Sequence, residues 1–216
     1  MKWDYDRGEI LADGIVHGLG IAFGLVSVIA LFVVAAQTVG PLELTSVLIY
    51  GGGLLTVLIV SAIYNLWPVS PVKWILRRFD HSAIFLLIAG TYTPFITQMK
   101  AGMEAALLLV GVWTASGVGM ALKLFLPGRF ERLSLVLYLM IGWSGVAAYQ
   151  SIFGALPAST LWLLAAGGVL YTAGVVFHLW ESLRFQNAIW HAFVLLAAAC
   201  HYGAVLDCMV LTRSMS

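Results

Sequence analysis

The sequence predicts an all-α integral membrane protein, a single-domain bundle of seven transmembrane helices. Three observations carry this expectation. The chain of 216 residues is 62% hydrophobic and only 10% charged. Soluble domains carry about 25% charged residues, so a soluble core of this size has no means of hiding so much apolar surface. Seven apolar stretches reach the roughly 20 residues that a spanning helix needs. Five of the six prolines (Pro41, Pro68, Pro71, Pro127 and Pro157) fall between those stretches.

The spans are expected near 13–37, 45–67, 81–99, 103–126, 133–153, 159–181 and 188–210, each read as one helix within a single domain 1–216. The segment ahead of the first carries Asp4, Asp6 and Glu9 and has no small-residue cleavage site, unlike a cleaved signal peptide. Gly14, Gly18, Gly20 and Gly24 in the first span, Gly51 to Gly53 in the second, and Gly117 and Gly119 in the fourth read as points of close helix packing. Pro94 lies inside the third span, where it is expected to kink the helix and free a carbonyl for Thr91 or a neighbouring helix. Cys200 and Cys208 in the seventh span lie about 12 Å apart along a helix and cannot pair with each other. Trp67, Trp74, Trp180 and Trp190 read as interfacial anchors.

Basic residues set the orientation. Lys2, Arg7, Lys73, Arg77, Arg78, Lys123, Arg129, Arg132 and Arg184 fall on one side, and only Lys100 and Arg213 on the other. Cytoplasmic loops carry the excess of Lys and Arg, so the N-terminus is expected in the cytoplasm and the C-terminus outside. Neither a basic patch nor a recognition motif is present, which excludes nucleic acid as a partner and leaves membrane lipids.

This topology gathers polar residues at one depth. Glu9, Asp13 and His17 recur at i, i+4 and i+8 on one helical face. Ser61 and Asn65 end the second span, Asp80 and His81 begin the third behind Arg77 and Arg78, His178 and Glu181 end the sixth, and Asn187 and His191 begin the seventh. Only His201 among the five histidines lies well into the bilayer. Ionisable groups inside a membrane usually face the bundle interior and mark a functional site. Carboxylates with imidazoles at this spacing suit a divalent metal such as zinc, and equally a proton relay. The simpler alternative pairs Asp80 with Arg77 or Arg78 and leaves the histidines capping helix ends.

Three motifs resemble the hemolysin III family, the bacterial branch of the progestin and adipoQ receptor (PAQR, adiponectin-receptor-like) superfamily. They are the segment Glu9 to Gly20, the run from Ser61 and Asn65 through Phe79-Asp80-His81-Ser82 to Thr93-Pro94, and Asn187 to Val194 followed by His201-Tyr202. The resemblance covers nearly the whole chain. It implies a seven-helix bundle in the cytoplasmic (inner) membrane of a bacterium, with a zinc site near the cytoplasmic face. The zinc pattern takes one histidine from the second helix and two from the seventh, and Asp80 and Ser61 hold the positions of its carboxylate and serine. Here Asn65 and Asn187 stand at two of the three histidine positions and only His191 remains. An amide oxygen is a neutral, hard donor and a poor replacement for imidazole on zinc. The two amides are expected to hydrogen-bond each other across their helices. His81, His17 and His178 are the candidate substitute ligands, with Glu9, Asp13 and Glu181 in the surrounding polar cluster.

Three functions follow from the resemblance. The first is a regulator of membrane and lipid homeostasis with a polar, metal-competent site and an unidentified lipid ligand. The second is a zinc-dependent hydrolase of a lipid amide or ester, similar to alkaline ceramidases, with Asp80 as general base and Ser61 orienting. The third is a pore-forming cytolysin, least in keeping with the hydropathy of a resident bundle.

Overall fold

A computed structural model describes residues 5–99 and 102–211, without the side chains of Tyr149, Ser151 and Phe153. Lys2, Asp4, Lys100 and Arg213, which entered the sequence reading, lie outside the described residues. The chain is helical throughout its ordered elements: α1 (Arg7–Thr38), α2 (Pro41–Leu66), α3 (Pro71–Ile96), α4 (Met103–Phe125), α5 (Glu131–Trp143), a 3₁₀ turn (Ser144–Ala148), α6 (Tyr149–Ala155), α7 (Ala158–Leu179) and α8 (Gln186–Leu206), which ends in a π turn (Asp207–Leu211).

The helix starts follow from local chemistry. Asp6 and Glu9 form a reciprocal capping box on α1, with the Glu9 N–H donating to Asp6 Oδ1 at 2.8 Å and the Asp6 N–H to Glu9 Oε2 at 2.9 Å. Pro41 and Pro71 open α2 and α3, where the missing N–H costs nothing. Phe130 and Phe185 precede α5 and α8 in the left-handed region, both at φ 59°. That conformation is uncommon for a bulky residue, and at Phe185 the Glu9 carboxylate holds it by accepting the Phe185 N–H at 3.2 Å.

Among the described residues five helices, α1, α2, α4, α7 and the α8 segment to Leu211, are long and apolar enough to cross a membrane. α3 is long but more polar, and it is the most enclosed helix, packed against both α2 and α4. The expected fifth span, 133–153, is not one helix. The Tyr92 hydroxyl enters from α3 and breaks it, donating to the carbonyls of Ile141 and Gly142 at 3.0 and 2.8 Å and accepting the Gly145 N–H at 2.8 Å. Backbone groups released at a break inside a bundle need such partners.

Pro94 lies inside α3, which continues to Ile96. Thr91 does not serve the carbonyl that Pro94 releases. Its hydroxyl donates to Leu87 O at 2.7 Å, the ordinary back-bond one turn earlier. The glycine reading holds for some positions only. A Cβ on Gly24 would strike Leu58, and one on Gly119 would strike the fully buried ring of Phe85. Gly18, Gly52 and Gly117 have no neighbour within 4 Å of a Cβ, because adjacent helical positions point about 100° apart and cannot all face a packed seam. Trp67, Trp74 and Trp180 are exposed at helix ends as anchors should be, while Trp190 is half-buried against the His178 ring.

Candidate metal centre

At one end of the bundle α1, α2, α3 and α8 bring polar side chains together. Asp13 and His17 sit one turn apart on α1, and Asn187 and His191 repeat that spacing on α8. Asp13 is the hub. Its Oδ1 lies 2.6 Å from His191 Nδ1, and its Oδ2 accepts from Asn187 Nδ2 at 2.9 Å. Asn187 Nδ2 also donates to Asn65 Oδ1 at 3.1 Å, so the amide contact across α2 and α8 is present. Asn65 Nδ2 donates to the Ser61 carbonyl at 2.9 Å and the Ser61 hydroxyl at 3.2 Å, and lies 3.5 Å from His191 Nε2. Ser61 is within hydrogen-bonding reach of Asp80, whose carboxylate also feels the charges of His191, His17 and Asp13.

His17 is incompletely satisfied. Its Nε2 is buried and has no hydrogen-bond partner among the described residues; Asp13 Oδ2 is 3.6 Å away, too far for a good bond. The His17 and His191 rings lie 4.4 Å apart by centroid. Asp13, His17 and His191 each offer one donor atom, all within 4.8 Å of one another. This buried group can hold a metal ion. Zinc takes nitrogen and carboxylate ligands at about 2.0–2.2 Å, which places tetrahedral ligand atoms about 3.4 Å apart. An ion would draw these atoms closer together, and the buried, unpartnered His17 Nε2 is an atom it would satisfy. The donor set fits.

A profile described as Haemolysin-III related matches residues 9–202. The chain belongs to the hemolysin III family. It is 35% identical over 198 residues to the hemolysin-3 homolog of Bacillus subtilis (strain 168), covering 92% of this chain and 93% of that protein. It is 34% identical over 206 residues to hemolysin-3 of Bacillus cereus, covering 95% and 94%. The human monocyte to macrophage differentiation factor is 31% identical over 163 residues, covering 73% of this chain and 67% of that protein.

In this hemolysin III protein the residues singled out from sequence divide into three groups. Asp13, His17, Ser61, Asn65, Asp80, Asn187 and His191 converge. Glu9 is buried beside them but is engaged in the α1 cap and at Phe185. His81 and His178 lie elsewhere. His81 Nδ1 is 3.6 Å from Glu131 Oε2, beside Arg77 and Lys123. The His178 ring packs on Trp190, with its Nδ1 buried and unpartnered among the described residues. Glu181 is exposed in the turn after α7. Among the described residues Asp80 forms no ion pair with Arg77 or Arg78; Arg77 Nη2 instead binds Glu131 Oε1 at 3.0 Å.

Two contributions escaped the sequence reading. Asp13, expected in the surrounding polar cluster, lies between the rings of His17 and His191 and accepts from Asn187. The i, i+4 relation to His17 was the available signal. Lys73 is buried and closes the end of α2, donating to the carbonyls of Asn65 and Trp67 at 3.0 and 2.8 Å. That contact fixes the backbone of Asn65.

Proposed function

We propose that this protein is a seven-span bundle of a bacterial cytoplasmic membrane, N-terminus inside, in which a divalent transition metal held by Asp13, His17 and His191 ties α1 to α8. Its role on this reading is regulation of membrane lipid homeostasis. The observation that carries the proposal is the placement of Asp13 between two imidazoles, one from its own helix and one from the far end of the chain. The seven-span count takes α3 as a span enclosed by its neighbours and α5, the 3₁₀ turn and α6 together as another. The bias of Lys and Arg toward the polar end supports the orientation.

Zinc in such a site supplies Lewis acidity and a water of lowered pKa. The chain's own residues do the remaining work. Asn187 and Asn65 orient the Asp13 carboxylate and the His191 ring by hydrogen bonds. Ser61 links Asp80 to the same network. The cavity bounded by Tyr5, Asp13, Asn65, Phe185 and Asn187 is only about 10 Å³. That is room for about one water and none for an acyl chain, which favours a clamp over a catalytic pocket.

The second reading, a metal-dependent lipid amide or ester hydrolase, draws support from Asp80 and Ser61 beside the metal ligands. Purified, metal-loaded protein decides between the two. The clamp reading expects a higher unfolding temperature with metal and no turnover of a fluorescent ceramide. Turnover abolished by Asp80→Asn, with the metal retained, would establish the hydrolase. The pore-forming activity suggested by the name of the Bacillus cereus relative is expected to be absent from a red-cell lysis assay.

A further inference from the structure

A second charged cluster joins α3, α4 and α5, and the proposed metal function leaves it unused. Arg77 and Lys123 are buried, at 6% and 2% exposure. They share one carboxylate: Arg77 Nη2 lies 3.0 Å from Glu131 Oε1, and Lys123 Nζ lies 3.0 Å from Glu131 Oε2. His81 Nδ1 approaches the same Oε2 at 3.6 Å. Asp80 Oδ2 lies 4.0 Å from His81 Nε2, on the other side of that ring, and forms no ion pair with Arg77 or Lys123 among the described residues. Two basic side chains therefore share one carboxylate. The Nε atoms of Arg77 and Arg78 are buried with no hydrogen-bond partner among the described residues. Buried positive charge without a matching anion is costly. The cluster has a route outward, because the Glu131 side chain is 36% exposed.

The same helix pair carries an apolar crevice farther along. Leu107, Gly111, Val112, Leu137, Met140 and Ile141 line an open groove of about 310 Å³ between α4 and α5. Lys123 and Gly111 are twelve residues apart on one helix, about 18 Å. Leu107, Val110 and Met140 are exposed on this side of the bundle. The α4–α5 pair thus carries a buried basic cluster toward the polar end, open to the surface at Glu131, and an apolar groove farther along.

We propose that an anionic phospholipid occupies the α4–α5 seam, its phosphate on Arg77 and Lys123 and one acyl chain in the crevice. The sign of the unmatched charge selects an anion. The crevice walls select a chain of methylenes. Free phosphate would have no use for the trough, and a peptide would find few polar partners along it. Basic pockets between transmembrane helices recognise lipid head groups in this way. The site involves neither the metal nor its ligands, so it stands or falls independently of the function proposed above.

The full-length protein, delipidated in detergent, is placed in nanodiscs of phosphatidylcholine with or without phosphatidylglycerol. Retained lipid is read by native mass spectrometry, and the unfolding midpoint is read alongside. Phosphatidylglycerol should be retained over phosphatidylcholine and should raise the midpoint. Lys123→Gln should weaken retention about fivefold. Gly111→Phe should weaken it as well by filling the trough; a Cβ at Gly111 meets no atom within 4 Å, so the variant is expected to fold. If Lys123→Gln does not fold, Gly111→Phe decides alone. Equal retention of the two lipids, full retention by Gly111→Phe, or the same stabilisation from inorganic phosphate in phosphatidylcholine discs would overturn the proposal.

Discussion

Asp13 and His191 are 178 residues apart in sequence and their side chains meet at 2.6 Å. The contact joins the first helix to the last, and the same carboxylate also accepts from Asn187 and lies 3.6 Å from His17 Nε2. Replacing Asp13 by Ala should therefore do two things. It should strip the metal, and it should destabilise the bundle by about 1–3 kcal/mol, because His191 and Asn187 lose their buried acceptor. Asn187→Ala removes an orienting amide but no ligand and should retain most of the metal. Metal content and unfolding midpoint of the two variants check the order, and greater metal loss from Asn187→Ala would mean that α8 supplies a ligand there.

Asn65 and Asn187 stand where the family pattern places histidines, and they touch each other at 3.1 Å. The paired change Asn65→His with Asn187→His adds two imidazoles beside His191. Zinc affinity should rise about tenfold or more, since imidazole is far the better zinc ligand. A competition titration with a chelator reads this. Unchanged affinity would show that Asn65 and Asn187 do not point at the ion held by Asp13, His17 and His191.

Much of this was legible in the sequence, for local reasons. Prolines placed helix starts, and the i, i+4 spacings put the polar residues of α1, α2 and α8 on inward faces. What failed to read was non-local. Gly142 and Gly145 do not by themselves break a helix; the Tyr92 hydroxyl, fifty residues away, does. His81 was grouped with Asp80, yet neighbours on a helix point about 100° apart: His81 Nε2 is 4.0 Å from Asp80 Oδ2, while its Nδ1 turns to Glu131 Oε2 at 3.6 Å. Asp80 faces the metal ligands, and His81 faces Glu131. The contacts of Asp13 with Asn187 and His191 cross 174 and 178 residues, which no local spacing shows.

Glu131 is the shared partner of Arg77 and Lys123. Glu131→Gln leaves both cations without a counter-charge and should cost on the order of 3 kcal/mol, moderated by the partial exposure of the carboxylate. The same variant should hold anionic lipid at least as tightly as the parent. Thermal unfolding in neutral and anionic nanodiscs measures both effects; equal stability to the parent in neutral discs would show that the ion pairs contribute nothing net.

Gly119 abuts the buried ring of Phe85, and Gly18 faces open space. Gly119→Ala should destabilise by about 1–3 kcal/mol through overpacking. Gly18→Ala should be neutral or slightly stabilising, since Ala is the better helix former. Equal effects would mean that α3 and α4 do not pack as closely as described.

Asp6 caps α1 outside the membrane. The Glu9 N–H that donates into its carboxylate, with Arg184 nearby, holds its pKa below the ordinary value. A depressed folded-state pKa means that this stabilisation is present above the ordinary Asp value of about 3.9 and is lost as pH falls below it. The unfolding midpoint of the parent should therefore fall more steeply with acid below about pH 4 than that of Asp6→Asn. Parallel curves would remove the cap from the stability of α1.

The central claim is that Asp13, His17 and His191 together hold one transition metal. Elemental analysis of the detergent-purified protein, exchanged free of loose metal, tests it directly. About one equivalent of zinc or another transition metal per chain is expected, falling to background in Asp13→Ala, His17→Ala and His191→Ala. Background metal in the parent after incubation with zinc, or full occupancy in all three variants, would contradict it.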